Sequence, residues 1–311
     1  MDHFRNHPLY QKHNIDSAMS SLWDFYKKNF LVLFATSFLM SLAIQYISSL
    51  LNLTDLQGIT DPSELLEKAG EFIGPIIIMS LINLLFSTIL HYFIIYNPVE
   101  EDKTIYVSVL KSLRYFLPYL ILLVLLTFAG TFAIILGLLA FIVGAFFVFL
   151  YVMTLYLFVL PTMMVEGPHI GNTIRRIFKL AHRGFWSNIG WVAVFLILVV
   201  IVSVLLSTLT LIPFSGNFLK NVLNPEAAEN VVDLARNPLY IVLAAMANAL
   251  TFPLVSIFAA ILYFNGRASE EEVQPLSGEP EEVKVRVEDL YAKPYSDENV
   301  DNPERDQSYE K

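Results

Sequence analysis

Between Tyr115 and Val165 the chain holds no Asp, Glu, Lys, Arg or His over about 50 residues, although ~20 apolar residues cross a bilayer core as one helix. No soluble domain needs such a run. The chain must cross a membrane there and return almost at once, with Gly130 and Gly137 as candidate turn points. Composition points the same way. Hydrophobic residues make up 55% of the chain and charged residues 16%, the balance of a protein that crosses a membrane several times.

The net charge of -9 is local. From Asn265 to Lys311 there are 14 acids and 6 bases, so this stretch alone carries -8. An acidic tail on an otherwise near-neutral body argues against nucleic-acid binding, which needs basic surface. The chain has no cysteine. That excludes disulfides, thiolate metal sites, a cysteine nucleophile and S-palmitoylation. Before Lys28 there is no apolar core of a cleavable signal, so the first span is expected to direct insertion itself.

Six spans are expected, at about 30–51, 72–96, 115–136, 138–160, 189–212 and 239–263. Residues 1–13, with His3, His7 and His13, read as a mobile polar terminus rather than a metal site. Residues 14–264 form the six-span domain. Residues 265–311 read as an acidic disordered tail, too poor in apolar residues to fold alone. Pro75 and Pro161 fall near span ends, where proline is tolerated, and Pro253 lies inside span six as an expected kink. Asp61-Pro62-Ser63-Glu64 pairs an N-cap with proline at the first helical position, and a short helix is expected there. Asn224-Pro225-Glu226 is a second helix start. Asn52-Leu53-Thr54 matches a glycosylation sequon next to the membrane.

Three segments ahead of spans one, three and five have helical periodicity. Ile15, Ala18, Met19, Leu22 and Phe25 share one face after the N-cap Asn14. Tyr106, Val109, Leu110 and Leu113 share another. Ile174, Ile177, Phe178, Ala181 and Phe185 share a third, opposite Arg175, Lys179 and Arg183. The fold class expected is therefore an all-α polytopic membrane protein: six transmembrane helices as three helical hairpins, each preceded by a cytoplasmic amphipathic helix. Lys and Arg number 11 on the side of these lead-ins and 3 on the other, before the tail is counted. The positive-inside rule then places both termini in the cytoplasm. The expected location is a bacterial inner membrane.

Leu160-Pro161 through Glu166-Gly167, Ile174-Arg175-Arg176-Ile177-Phe178-Lys179-Leu180 and Gly184-Phe185-Trp186 run into an apolar span. Together with Leu22-Trp23-Asp24-Phe25-Tyr26-Lys27-Lys28-Asn29-Phe30, they resemble the six-helix bacterial family that includes the glycerophosphoryl diester phosphodiesterase membrane domain. The resemblance covers roughly Asn14 to Asn265 and implies one six-span unit. In some relatives that unit precedes a soluble phosphodiesterase domain. The segment after it here is a short acidic tail, so the resemblance brings over no catalytic residue.

No HExxH, GxSxG or GxxxxGK[ST] motif is present, and no acid, Lys or Arg falls inside an expected span. The chain is therefore expected to be no enzyme and to need no cofactor or metal. Two functions remain. In the first, the chain is a non-enzymatic membrane component. Lys27, Lys28, Arg114, Arg175, Lys179 and Arg183 contact anionic inner-leaflet headgroups, Trp23 and Trp186 anchor depth, and the acidic tail recruits a protein partner. In the second, the chain transports a small or lipidic solute, with Gln45, Asn83 and Asn248 lining one polar cavity and Pro253 as the flex point. The simpler reading of these amides is interhelical hydrogen bonding. His91 reads as an anchor at the inner end of span two.

Overall fold

The structure is a computed structural model that describes residues 2–51, 61–100, 105–139, 141–215 and 234–273. The sequon at Asn52, the helix start at Asn224, and the tail beyond 273 lie outside the described residues. Among the described residues the main α-helices are, in order, α1 (Ile15–Lys28), α2 (Phe30–Ser49), α3 (Pro62–Tyr96), α4 (Ile105–Leu138), α5 (Phe141–Glu166), α6 (Ile170–Arg183), α7 (Phe185–Leu211) and α8 (Pro238–Val273). No strand occurs among the described residues. Six of the helices (α2, α3, α4, α5, α7 and α8) are long and apolar enough to cross a membrane. The protein is an all-α polytopic membrane protein.

The two short helices are α1 and α6, and an asparagine side chain secures the end of each. Asn14 accepts from the Ser17 amide at 2.7 Å, and Ser17 Oγ accepts from the Asn14 amide at 2.9 Å, a reciprocal cap that starts α1. Asn29 ends α1, with its side-chain amide donating to the Phe25 carbonyl at 3.0 Å. At the end of α6 the Asn188 amide donates to the Leu180 and Ala181 carbonyls at 3.1 and 3.2 Å. These bonds satisfy carbonyls that a helix end leaves orphaned, so the chain can break between each short helix and its span.

The second lead-in behaves differently. Tyr106 to Leu113 is the opening of one continuous 34-residue helix, α4. No Gly or Asn interrupts the stretch from Lys111 to Phe116, so nothing takes up the carbonyls a break would expose. Likewise the Asp61 cap, accepting from the Ser63 amide at 2.9 Å, opens the 35-residue α3 rather than a separate short helix. Pro75 and Pro161, expected near span ends, lie inside α3 and α5.

The core centres on α5 and α8. In the span of α8, 50% of the apolar window is buried, and in α5 33%, against 17% in α4 and α7. α4 and α7 thus leave most of their apolar surface uncovered by protein, while α8 has the largest share covered and α5 the next. Phe195 of α7 stacks on Phe258 of α8 with ring centroids 4.0 Å apart. α4 and α5 lie closest where glycine removes a side chain. A Cβ at Gly137 would meet the Ala145 backbone at 3.1 Å, and one at Gly130 would meet Val152 at 2.8 Å. Gly130, a candidate turn point from sequence, is therefore a contact point inside α4. The turn itself follows Leu138, where Phe141 takes a positive φ of 63°. Close approach of this kind holds helices together in a membrane, where lipid is as apolar as leucine and burial supplies little drive.

The N-terminal segment, read from sequence as mobile, is packed. A 3-10 turn spans Asp2–Asn6, and Phe4, His7, Leu9 and His13 are buried. His7 donates from Nε2 to the Ile94 carbonyl at 3.0 Å and accepts at Nδ1 from the Leu9 amide at 3.1 Å. Its ring lies 4.7 Å from that of Phe264. The His13 amide donates to Asn265 Oδ1 at 2.8 Å. Phe4 and Leu9, two apolar side chains in a polar run, supply the burial that orders the segment. Both His7 nitrogens are matched only in the neutral ring, because Nδ1 faces an N–H donor.

Burial holds the His7 pKa down at about 4, against the raising effect of the Ile94 bond. A histidine depressed in the folded state favours docking above its ordinary pKa of 6.5. Docking then weakens as pH falls from 6.5 toward 4, by about 3 kcal/mol in full. Amide exchange at Leu9 and Tyr10, corrected for intrinsic pH dependence, is expected to rise over that window and stay flat above it. A profile flat throughout would show that neutral His7 does not hold the segment. A second expectation concerns the helix pair. Gly137→Leu should lower the unfolding temperature of the detergent-solubilised protein, whereas Gly70→Leu, with open space around the new side chain, should not.

Candidate headgroup-binding face

The ends of α1, α3, α5 and α8, and the starts of α2, α4 and α7, meet at one end of the bundle. α6 lies there with its two faces sharply divided. Thr173, Ile177, Leu180 and Ala181 are buried, while Arg175, Lys179, His182 and Arg183 are exposed. The turn into α6 needs Gly167, which sits at φ +103°, a region that side chains rarely adopt. Thr173 Oγ1 then donates to the His169 carbonyl at 3.0 Å and helps to fix the first turn.

Glu166, the last residue of α5, is the hub of this end. Arg176 Nε and the Tyr263 hydroxyl both donate to Glu166 Oε1 at 2.8 Å. The Arg267 guanidinium stands 3.8 Å from the same oxygen. Two guanidinium groups thus face one carboxylate. Between α5 and α6 lies a cavity of about 380 Å³. α5 contributes Thr162 and Glu166 to its wall, and α6 contributes Asn172, Thr173, Arg175, Arg176 and Lys179. Three cationic side chains and one carboxylate thus line the same space. Thr162 is fully buried, and its hydroxyl has no hydrogen-bond partner among the described residues.

A second polar cluster lies beside it. The Tyr96 hydroxyl donates to the Met164 carbonyl and stands 3.1 Å from the Tyr115 hydroxyl. The Arg114 guanidinium lies 4.6 Å from the Tyr115 ring and donates to its hydroxyl. Tyr92 donates to Glu100 at 3.2 Å, and Lys111 pairs with Glu100 at 3.1 Å.

The residues singled out from sequence fall into separate groups. Arg175 and Lys179 share the α6 cavity. Arg183 donates to the Ser269 carbonyl at 3.2 Å. Lys27 lies 3.5 Å from Asp24 and 5.7 Å from the Trp23 ring centroid. Lys28 lines a different cavity, of about 500 Å³, with Ser21, Asp24 and Asn97. Arg114 belongs to the tyrosine cluster. Trp23 and Trp186 are 51% and 72% exposed, so both rings point outward as anchors would.

The polar trio does not converge. Asn83 lines a crevice with Ser80, Thr127 and Tyr156, Gln45 is half-buried outside its lining, and Asn248 is exposed. His91, expected at the interface, is instead buried within the bundle. Glu166, Arg176, Tyr263 and Arg267 were not singled out as a site. Their one sequence signal is that Glu166 is the first charge after the long uncharged stretch. No family model matches the chain, nor does any curated protein or solved structure.

Removal of the hub carboxylate should loosen this end. Glu166→Ala is expected to cost about 2 kcal/mol of stability, and Tyr263→Phe about 1. Unfolding in a mild detergent followed by tryptophan fluorescence would measure both.

Proposed function

We propose that the protein is a non-enzymatic membrane component that holds anionic lipid headgroups at the bundle end where α1 and α6 lie, on the cytoplasmic side. One observation carries this reading: the cavity beside α6, where Arg175, Arg176 and Lys179 meet a single carboxylate that already has its own partners. A phosphate entering there finds three cationic side chains in the wall, beside the unpartnered Thr162 hydroxyl. Each Lys or Arg near an anionic leaflet contributes about 1 kcal/mol. The exposed Trp23 and Trp186 rings support the same placement, since indoles favour the headgroup level.

The acidic tail suits a different neighbour. Beyond Val273 it holds 11 acids and 5 bases, and this net charge of -6 keeps it off an anionic leaflet and leaves it available to a basic protein surface. A truncation that tests this should follow Val273, not Gly266, because Arg267 faces Glu166 and Ser269 accepts from Arg183.

Arg175→Gln with Lys179→Gln is expected to reduce retention of anionic phospholipid severalfold, without affecting zwitterionic lipid, when the purified protein is weighed intact with its bound lipids. Adding Lys27→Gln, Lys28→Gln, Arg114→Gln and Arg183→Gln should remove most of what remains. Unchanged retention after all six substitutions would overturn the proposal.

A further inference from the structure

Apart from the headgroup face, the bundle interior encloses a cavity of about 60 Å³ between α3, α4, α5 and α8. Its polar wall is Ser87, His91, Tyr119, Tyr156 and Ser256. Polar side chains at this depth are expensive unless matched. The matching within the chain is incomplete. His91 Nδ1 lies 2.8 Å from the Ser87 carbonyl. A carbonyl only accepts, so Nδ1 carries the proton and Nε2 is left as an acceptor. No described residue donates to Nε2. On the other side, the Tyr119 hydroxyl donates to that of Tyr156 at 3.0 Å, and the proton of Tyr156 has no acceptor among the described residues. The cavity therefore brings together one unmatched acceptor and one unmatched donor.

Water resolves both. A molecule that accepts from Tyr156 and donates to His91 Nε2 matches both groups; Ser256 offers a further partner, and the Ser87 hydroxyl, which donates to Tyr119, can still accept. A water site needs roughly 10–15 Å³ of space and 2–4 polar partners. This cavity exceeds the first severalfold and meets the second, whereas purely apolar cavities stay dry.

Tyr156 is also the wall between this cavity and the crevice at Asn83. Along α3, Ser80, Asn83, Ser87 and His91 stand at i, i+3, i+7 and i+11, on one face of the helix. That polar stripe runs from the crevice into the cavity. We propose that the cavity is an internal hydration site holding a short water cluster around His91, and that it exchanges with the crevice past the Tyr119–Tyr156 bond. The ligand class is water itself.

Because the chain lacks cysteine, one introduced thiol gives an isolated S–H stretch in the infrared spectrum. Full-length Ser256→Cys in lipid nanodiscs is moved into D₂O, beside Ala260→Cys, which replaces a fully buried residue outside the cavity wall. The Ser256→Cys thiol is expected to exchange at least about tenfold faster than the Ala260→Cys thiol, since water already touches it without local opening. Tyr156→Phe, which removes the hydroxyl bond across the wall, should speed that exchange further. Equal rates for the two thiols would overturn the hydration site. Fast exchange indifferent to Tyr156→Phe would overturn the route past Tyr156. A second readout leaves the sequence intact: in protein carrying ¹⁵N-histidine, magnetisation is expected to pass from water to the His91 ring, and its absence would also overturn the site.

Discussion

Hydrocarbon offers no hydrogen bonds, so every backbone N–H and C=O inside it must find a partner in the protein. This requirement decides where the chain is allowed to stop being a helix. Its uncharged stretch of about 50 residues is two helices, α4 and α5, with the break confined to a few residues after Leu138. At the opposite end the breaks after α1 and α6 are each accompanied by an asparagine amide on the last carbonyls. Where no such residue is present, as ahead of span three, the helix runs on unbroken. The same rule pushes the polar chemistry to one end, where Glu166, His7, Tyr96 and Asn265 make bonds that join elements distant in sequence.

Glu166 illustrates what a lone carboxylate demands at that border. A charge leaving water loses solvation that only close counter-charges and donors replace. Tyr263 and Arg267 of α8, and Arg176 of α6, supply them, so one side chain ties three helices together. One of these ties also reaches the α6 cavity: Arg176 holds Glu166 and stands in the cavity wall beside Arg175 and Lys179.

The spans were legible in the sequence because apolar length is a one-dimensional property. Lipid-facing helices need only be long and uncharged, and α2, α4 and α7 meet that condition without reference to a partner. α1 and α6 were legible for a related reason, since helical periodicity and the Asn14 cap are local, but periodicity alone did not show that the second lead-in runs on into its span. What was not legible depends on distance in space. His7 lies 87 residues from Ile94, and its position made the N-terminus look mobile when it is docked. Glu166 and Tyr263 are 97 apart. The amides failed as a set because depth along a helix says nothing about rotation around it: Asn83 turns toward the crevice, and Asn248 turns outward.

Rotation also explains why the interior holds a histidine at all. Ser80, Asn83, Ser87 and His91 fall on one stripe of α3, exposed at Ser80 and progressively covered toward Ser87 and His91, which are buried. Tyr119 and Tyr156, which cover it, bring an apolar ring for the membrane and a hydroxyl for the stripe. The arrangement is tight enough to exclude lipid, and the enclosed space is still wide enough for water. An apolar filling of that space would have been simpler for packing and would have left Nε2 of His91 and the Tyr156 hydroxyl unmatched. Because each unmatched group in hydrocarbon costs several kcal/mol, the same force that makes the spans helical draws water to this cavity.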